Sequence, residues 1–149
     1  MKINVNNQEV EAYRLIMKKE NAKDIVSGKK KLEVRNYNNI YCGMFLDKKK
    51  FEEYLKDLED PNGTMALSDA VKDTKYIRFT NYNGSWHLDV SIDFIEPFEM
   101  SKENVEAIGQ NYNFHDFDDQ WQEFEDLSQE EKPFFFGIVI DKVINRHNI

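Results

Sequence analysis

Apolar residues change their spacing along this 149-residue chain, and the spacing predicts the elements. The strictest alternation runs from Trp86 to Phe94. Trp86, Leu88, Val90, Ile92 and Phe94 share one face, and His87, Asp89, Ser91 and Asp93 share the other. That is the period of a strand with one covered side, the other face being polar and outward. Lys75–Thr80 alternates as well. Asn81-Tyr82-Asn83-Gly84-Ser85 joins the two, and Asn83-Gly84 is the preferred pair of a two-residue type I′ turn. The reading is therefore a hairpin of 75–80 with 86–95, ended by Pro97. Phe134 to Ile144 is almost continuously apolar, the pattern of a strand buried on both faces, with a bulge or bend at Gly137.

Elsewhere the period is mixed or helical. Residues 1–12 are polar and read as a short edge strand or an arm. Tyr13–Met17 is a compact apolar strand. Ala22, Ile25 and Val26 fall at i, i+3, i+4 on a two-turn helix that Asn21 can cap, with Asp24 as a weak capping-box partner, and Gly28 ends it. The chain re-enters as a strand at Lys31, with Leu32 and Val34 on one face and Lys31, Glu33, Arg35 and Tyr37 on the other. Asn36–Asn39 is turn chemistry, and Ile40–Leu46 reads as a short strand. Asp47 caps a helix over Lys48–Leu58 whose stripe is Phe51, Tyr54, Leu55 and Leu58, and Asp60-Pro61-Asn62-Gly63 stops it. Residues 61–73 hold at most one helical turn. Ser101 caps a helix over 102–110 with Val105 and Ile108 inward. A second helix is expected over 116–127, carrying Phe117, Trp121, Phe124 and Leu127.

Composition narrows the class. The length suits one domain spanning 1–149, and 40% hydrophobic residues with 13% aromatics exclude a wholly disordered chain. No apolar run approaches the roughly 18–20 residues of a membrane span, and MKINVNNQEVEAY has no signal-peptide core. The one cysteine, Cys42, permits no disulfide and no metal spacing. A cytoplasmic protein that contacts no membrane is expected, and the Lys, Asn and Ile usage suggests an AT-rich bacterial or phage genome. The net charge of −8 is uneven: 12 Lys/Arg face 6 Asp/Glu in residues 1–50, but 8 face 22 in residues 51–149. Residues 98–132 alone hold 11 acids against Lys102 and Lys132. A dedicated duplex binder would be basic overall; this chain carries a basic patch on an acidic body.

The patch is Lys29, Lys30 and Lys31, followed by Glu33 and Arg35. Lysines bind phosphate as point charges, and Arg offers a planar fork to phosphate or a base edge. Glu33 can accept from an amino group on a base. The plainer alternative is an ion-pair ladder, Glu33 with Arg35 or a neighbouring lysine on a solvated face. Tyr37, Tyr76, Tyr82 and Trp86 are the aromatics considered for stacking on a base, although Trp86 lies on the apolar face of its strand.

The order of an apolar strand, a short helix, then Ile25, Gly28, Lys29, Lys30, Glu33 and Arg35 resembles the ASCH domain family of the PUA-like superfamily, closely over about 25 residues. The resemblance implies an α+β fold, a small mixed PUA-like β-barrel with peripheral helices. Its organising motif is 13–37, and an insertion at 47–73 and an acidic helical segment at 98–132 are added to it. In such a barrel the Gly-Lys-Lys turn faces a cleft. Some members resemble amidohydrolases that deacylate modified cytidine. There Lys30 matches the motif's lysine, but the nucleophilic threonine position is Glu33. An enzyme would leave Lys30 to activate a nucleophile and Glu33 to act as general acid–base.

Binding of RNA or a small nucleotide, through Lys29, Lys30, Lys31, Glu33, Arg35, Tyr37 and Tyr82, is the favoured reading. Docking of a basic protein partner on the acidic helices is a further alternative. No cofactor and no metal are expected. His115-Asp116-Phe117-Asp118-Asp119 reads as a solvated helix start, His87 with Asp89 as an outer polar face, and Cys42 as a small buried residue.

Overall fold

The computed structural model describes residues 1–128 and 131–149; Glu130, one of the acids of the 98–132 segment, lies outside them. Among the described residues there are seven strands and four α-helices. They are β1 (Lys2–Val5), β2 (Gln8–Glu11), β3 (Tyr13–Ile16), α1 (Lys19–Val26), β4 (Leu32–Asn36), α2 (Asn39–Phe45), α3 (Lys48–Glu59), β5 (Tyr76–Thr80), β6 (His87–Glu99), α4 (Lys102–Tyr112) and β7 (Phe134–His147). Short 3-10 turns occupy Leu67–Ala70 and Trp121–Phe124. The main sheet runs β3-β5-β6-β7-β4, antiparallel except for β3 beside β5, and it curls into a half-barrel. This is a mixed α+β architecture.

Residues 1–12 are not an edge strand of that sheet. They form a separate hairpin, β1 with β2, in which Val5 pairs with Gln8. Asn6 and Asn7 both take positive φ, 51° and 66°, as a two-residue I′-type turn demands. Asn tolerates that region better than other L-residues. The expected I′ turn at Asn83-Gly84 does not form. Thr80 pairs with His87, which leaves six residues between the strands, and only Gly84 has positive φ (71°). The Asn83 side chain instead accepts from the Ser85 amide at 3.0 Å, and Asn81 Nδ2 donates to Ser85 Oγ.

Leu88, Val90, Ile77, Phe79, Phe136 and Ile138 are fully buried and centre the core on β5, β6 and β7. The alternation of β6 breaks where its register to β7 shifts, between Ile92 and Phe94. The irregularity turns Phe94 outward, 41% exposed, and Ile95 inward. Gly137 is not the site of a bulge: it pairs in register with Val34 and Glu96. Burial on both faces of β7 is confined to Phe136–Val139. Pro97 does not end β6, which runs on to Glu99. Along β6, β5 pairs only with His87–Ser91, so that edge of β6 has no β5 partner at Pro97 and a missing donor is tolerated there.

Three further expectations are corrected. Ile40–Leu46 is a helix, not a strand: Asn38 Oδ1 accepts from the Tyr41 amide at 2.9 Å, and Tyr41 and Phe45 stack one turn apart. α1 starts at Lys19, ahead of Asn21, with Lys18 at its cap and no side-chain cap bond. The helix expected over 116–127 is a series of turns around one 3-10 turn. Asp116, Asp118 and Asp119 are poor helix formers of like charge, and the chain there follows tertiary contacts instead. Asp47 and Ser101 cap α3 and α4 as the spacing predicts.

Asp89 does not lie on a solvated face. It is fully buried and takes a bidentate bond from Arg78 at 2.7 and 2.9 Å, with Asn145 Nδ2 at 3.2 Å. No helix among the described residues is long and apolar enough to cross a membrane.

Candidate functional site

α1 buries Ala22 and Ile25 against the sheet, and this fixes where its C-terminal turn lies. Gly28, at φ 82°, reverses the chain. Its amide bonds the Ile25 carbonyl, and the Lys30 amide bonds the Asp24 carbonyl at 3.0 Å. Lys31 then joins the sheet, its carbonyl accepting from Ile140. The turn therefore projects its lysines directly above the start of β4.

Glu33 and Arg35, two residues apart on β4, lie on one face. Glu33 is 8% exposed. Its Oε2 accepts from Arg35 at 3.0 Å, while Lys30 Nζ stands 3.4 Å from Oε1. The ion-pair alternative is thus present, but sunk into the protein rather than on a solvated face. Arg35 does more than pair. It donates to the Ile16 carbonyl at 2.9 Å and to the Tyr41 hydroxyl at 3.0 Å. Ile16 ends β3, at the opposite edge of the sheet from β4, so one guanidinium bridges the two edges of the half-barrel. Burial opposes its charge, yet Glu33 and the Tyr41 hydroxyl outweigh that and raise its pKa above the ordinary value.

The opposite wall comes from far along the chain. α4 ends at Asn113, which adopts the left-handed conformation (φ 54°). The following residues fold back so that Phe114, Asp116, Phe117 and Gln120 face Asn21, Lys30, Glu33 and Asn36 across a cleft of about 430 Å³. Phe114, Phe117 and Phe135 form a chain of ring contacts at 5.3 and 5.0 Å along it. Lys30 Nζ lies 6.0 Å from the centre of the Phe114 ring. A smaller recess, about 190 Å³, adjoins the cleft through the shared Asn21, Lys30, Phe114 and Asp116, and there Lys29 and Lys31 stand beside His115. Both lysines are exposed and neither is ion-paired among the described residues.

Of the residues singled out from the sequence, Lys30 and Glu33 line the larger cleft, and Lys29, Lys30 and Lys31 line the adjoining recess, which shares Asn21, Lys30, Phe114 and Asp116 with it. Arg35 sits behind Glu33. Tyr37 is packed on Phe136 at 5.2 Å and Phe134 at 5.8 Å, and burial, followed by the nearby Cys42 thiol, pushes its hydroxyl to about 12. Tyr82 is 88% exposed on the β5–β6 loop, and Trp86 is a core residue. Neither Tyr37 nor Tyr82 lines the cleft. Phe114, Phe117 and Gln120, which do, escaped the sequence reading. Their only signal was an aromatic run just beyond a helix stop, and the wall they face is some 80 residues away.

The remaining groups are committed to structure. Thr80 Oγ1, 2% exposed, donates to the Trp86 carbonyl at 2.8 Å. Burial raises the Cys42 pKa despite a hydrogen bond from Tyr37 that lowers it. His115 rests against Gly109 and bonds Asp118 at 2.9 Å and Asn113 at 3.0 Å. No cluster of three metal-ligating side chains occurs among the described residues. No protein-family model matches the chain, and no curated protein or solved structure matches it.

Proposed function

We propose that this protein binds a nucleotide or a short single-stranded RNA in the cleft at the Lys29-Lys30-Lys31 turn. One observation carries the reading: a buried carboxylate between two cations, Lys30–Glu33–Arg35, floors a cleft with exposed lysines at its mouth and phenylalanines on its far wall. Lys29 and Lys31, in no ion pair among the described residues, suit phosphate as point charges. Phe114 and Phe117 offer ring faces to a base, in place of Tyr37 and Tyr82. The resemblance of Ile25–Arg35 to the ASCH family supports the same reading. Deacylation of a modified nucleoside ranks lower, since no Ser, Thr or Cys lines the cleft or its recess among the described residues.

The test is titration of nucleoside monophosphates and of short single-stranded RNAs at low and at moderate salt. Binding is expected at low salt, weakened by salt, and weakened roughly tenfold by Lys31→Ala, as loss of one charged hydrogen bond implies. No binding at low salt, or binding untouched by Lys30→Ala combined with Lys31→Ala, overturns the proposal.

A further inference from the structure

We infer that the cleft selects bases that carry an exocyclic amino group over the matching bases that lack one, with Glu33 as the selecting residue; this rests on the nucleotide-binding reading above. Glu33 is the most buried charged group lining the cleft, and an ionised carboxylate accepts hydrogen bonds but donates none. Such a carboxylate has about four lone-pair sites. Arg35 takes one on Oε2. On Oε1 the Val34 amide donates at 3.2 Å and Lys30 stands at 3.4 Å. One acceptor site is left for a ligand on a residue that borders the cavity.

Asp116, on the opposite wall, is a second side chain that only accepts. The amides of Asn21, Asn36 and Gln120 can serve either way and impose no sign. A base amino group set against Glu33 completes its hydrogen bonding. A carbonyl or a bare C–H there leaves unmatched an acceptor that is itself only 8% exposed. Unmatched buried acceptors are costly, which makes the absence of a donor the discriminating event.

Two nucleotide pairs isolate this term. Guanosine and inosine monophosphates differ only in the 2-amino group. Cytidine and uridine monophosphates exchange the 4-amino group for a carbonyl and alter the adjacent ring nitrogen. All four carry the same phosphate, so the lysines see one charge. Calorimetric titration of the unaltered protein at a single low salt concentration should give at least about tenfold tighter binding of the amino-bearing member in one pair or both. Glu33→Gln, which keeps the shape and can donate, should bring the members of each pair together, with folding checked by circular dichroism. Lys31→Ala should weaken all four alike.

Equal affinity within both pairs for the unaltered protein overturns the selectivity and leaves the binding reading standing. Selectivity that survives in folded Glu33→Gln assigns it to another group and overturns the role of Glu33. Absence of binding by all four overturns both. If Glu33→Gln does not fold, the comparison within pairs on the unaltered protein still decides whether the selectivity exists.

Discussion

Replacing Arg35 should damage the fold before it damages any binding. Arg35→Met keeps most of the side-chain volume but removes three bonds at once: to Glu33 Oε2, to the Ile16 carbonyl and to the Tyr41 hydroxyl. The Arg35 and Glu33 side chains are only 13% and 10% exposed, so solvent screens the pair little. Removing one member of a buried pair typically costs about 3–5 kcal/mol. Lys30 remains 3.4 Å from Glu33 and moderates the loss. The Ile16 carbonyl and Tyr41 hydroxyl then lose a partner where water reaches poorly, which works the other way. A net cost of about 3 kcal/mol follows, or roughly 6–12 °C in Tm for a chain of this size. Urea unfolding followed by circular dichroism measures it. Arg35→Met with Glu33→Met should cost less than Arg35→Met alone, because the buried Glu33 charge is gone and Lys30, 18% exposed at the cleft, can turn its ammonium to solvent. A loss under about 1 kcal/mol for Arg35→Met, or strict additivity in the pair, would refute the idea that this guanidinium latches the seam.

Two other outcomes follow from single groups. His87 stacks on His147 at 5.1 Å, and its pKa is lowered, first by burial and then by Arg78 and His147, with Asp89 opposing. The unfolded chain therefore takes up a proton at His87 more readily than the fold does. Stability should be intact above the unfolded value, about 6.5, and fall as pH drops below it, by less in His87→Gln; urea midpoints at pH 7 and pH 5 check this, and an identical fall in both proteins refutes it. Asn38→Ala should cost about 1 kcal/mol by uncapping α2, whereas Asn21→Ala, which caps nothing, should cost less than half of that in the same melt.

The sequence was legible where one contact decides one residue. Glu33 and Arg35 could be paired from their spacing on a strand, and Asp47 and Ser101 could be read as caps, because each interaction is local. The misreadings share another cause. Ile40–Leu46 looks like a strand by its residue types, yet one cap at Asn38 and the Tyr41–Phe45 stack make it a helix. Phe94 belongs by pattern to the inner face of β6, but a register shift against β7, some 45 residues away, reverses it. Asp89 looks solvated until Arg78 on β5 and Asn145 on β7 close over it. The far wall of the cleft was hidden for the same reason, since nothing near Phe114 or Gln120 in the chain reveals that they face Lys30.

The same arrangement decides which substitutions can inform about binding. Arg35 holds Glu33 and the seam together, so loss of binding in an Arg35 variant would report on the fold as much as on ligand contact. Lys29 and Lys31 have no such second task, being exposed and outside any ion pair among the described residues. Their charge acts against an acidic neighbourhood, with Asp24 and Asp116 lining the recess and Asp118 bonded to His115 beside it. At physiological salt, fields fade over about 8 Å, so the body's negative charge repels a long polyanion that must run past it. A single phosphate bound as proposed at the Lys29-Lys30-Lys31 turn would stay within reach of these lysines. The charge pattern thus argues for a small or single-stranded ligand held by short-range contacts, and against an extended duplex.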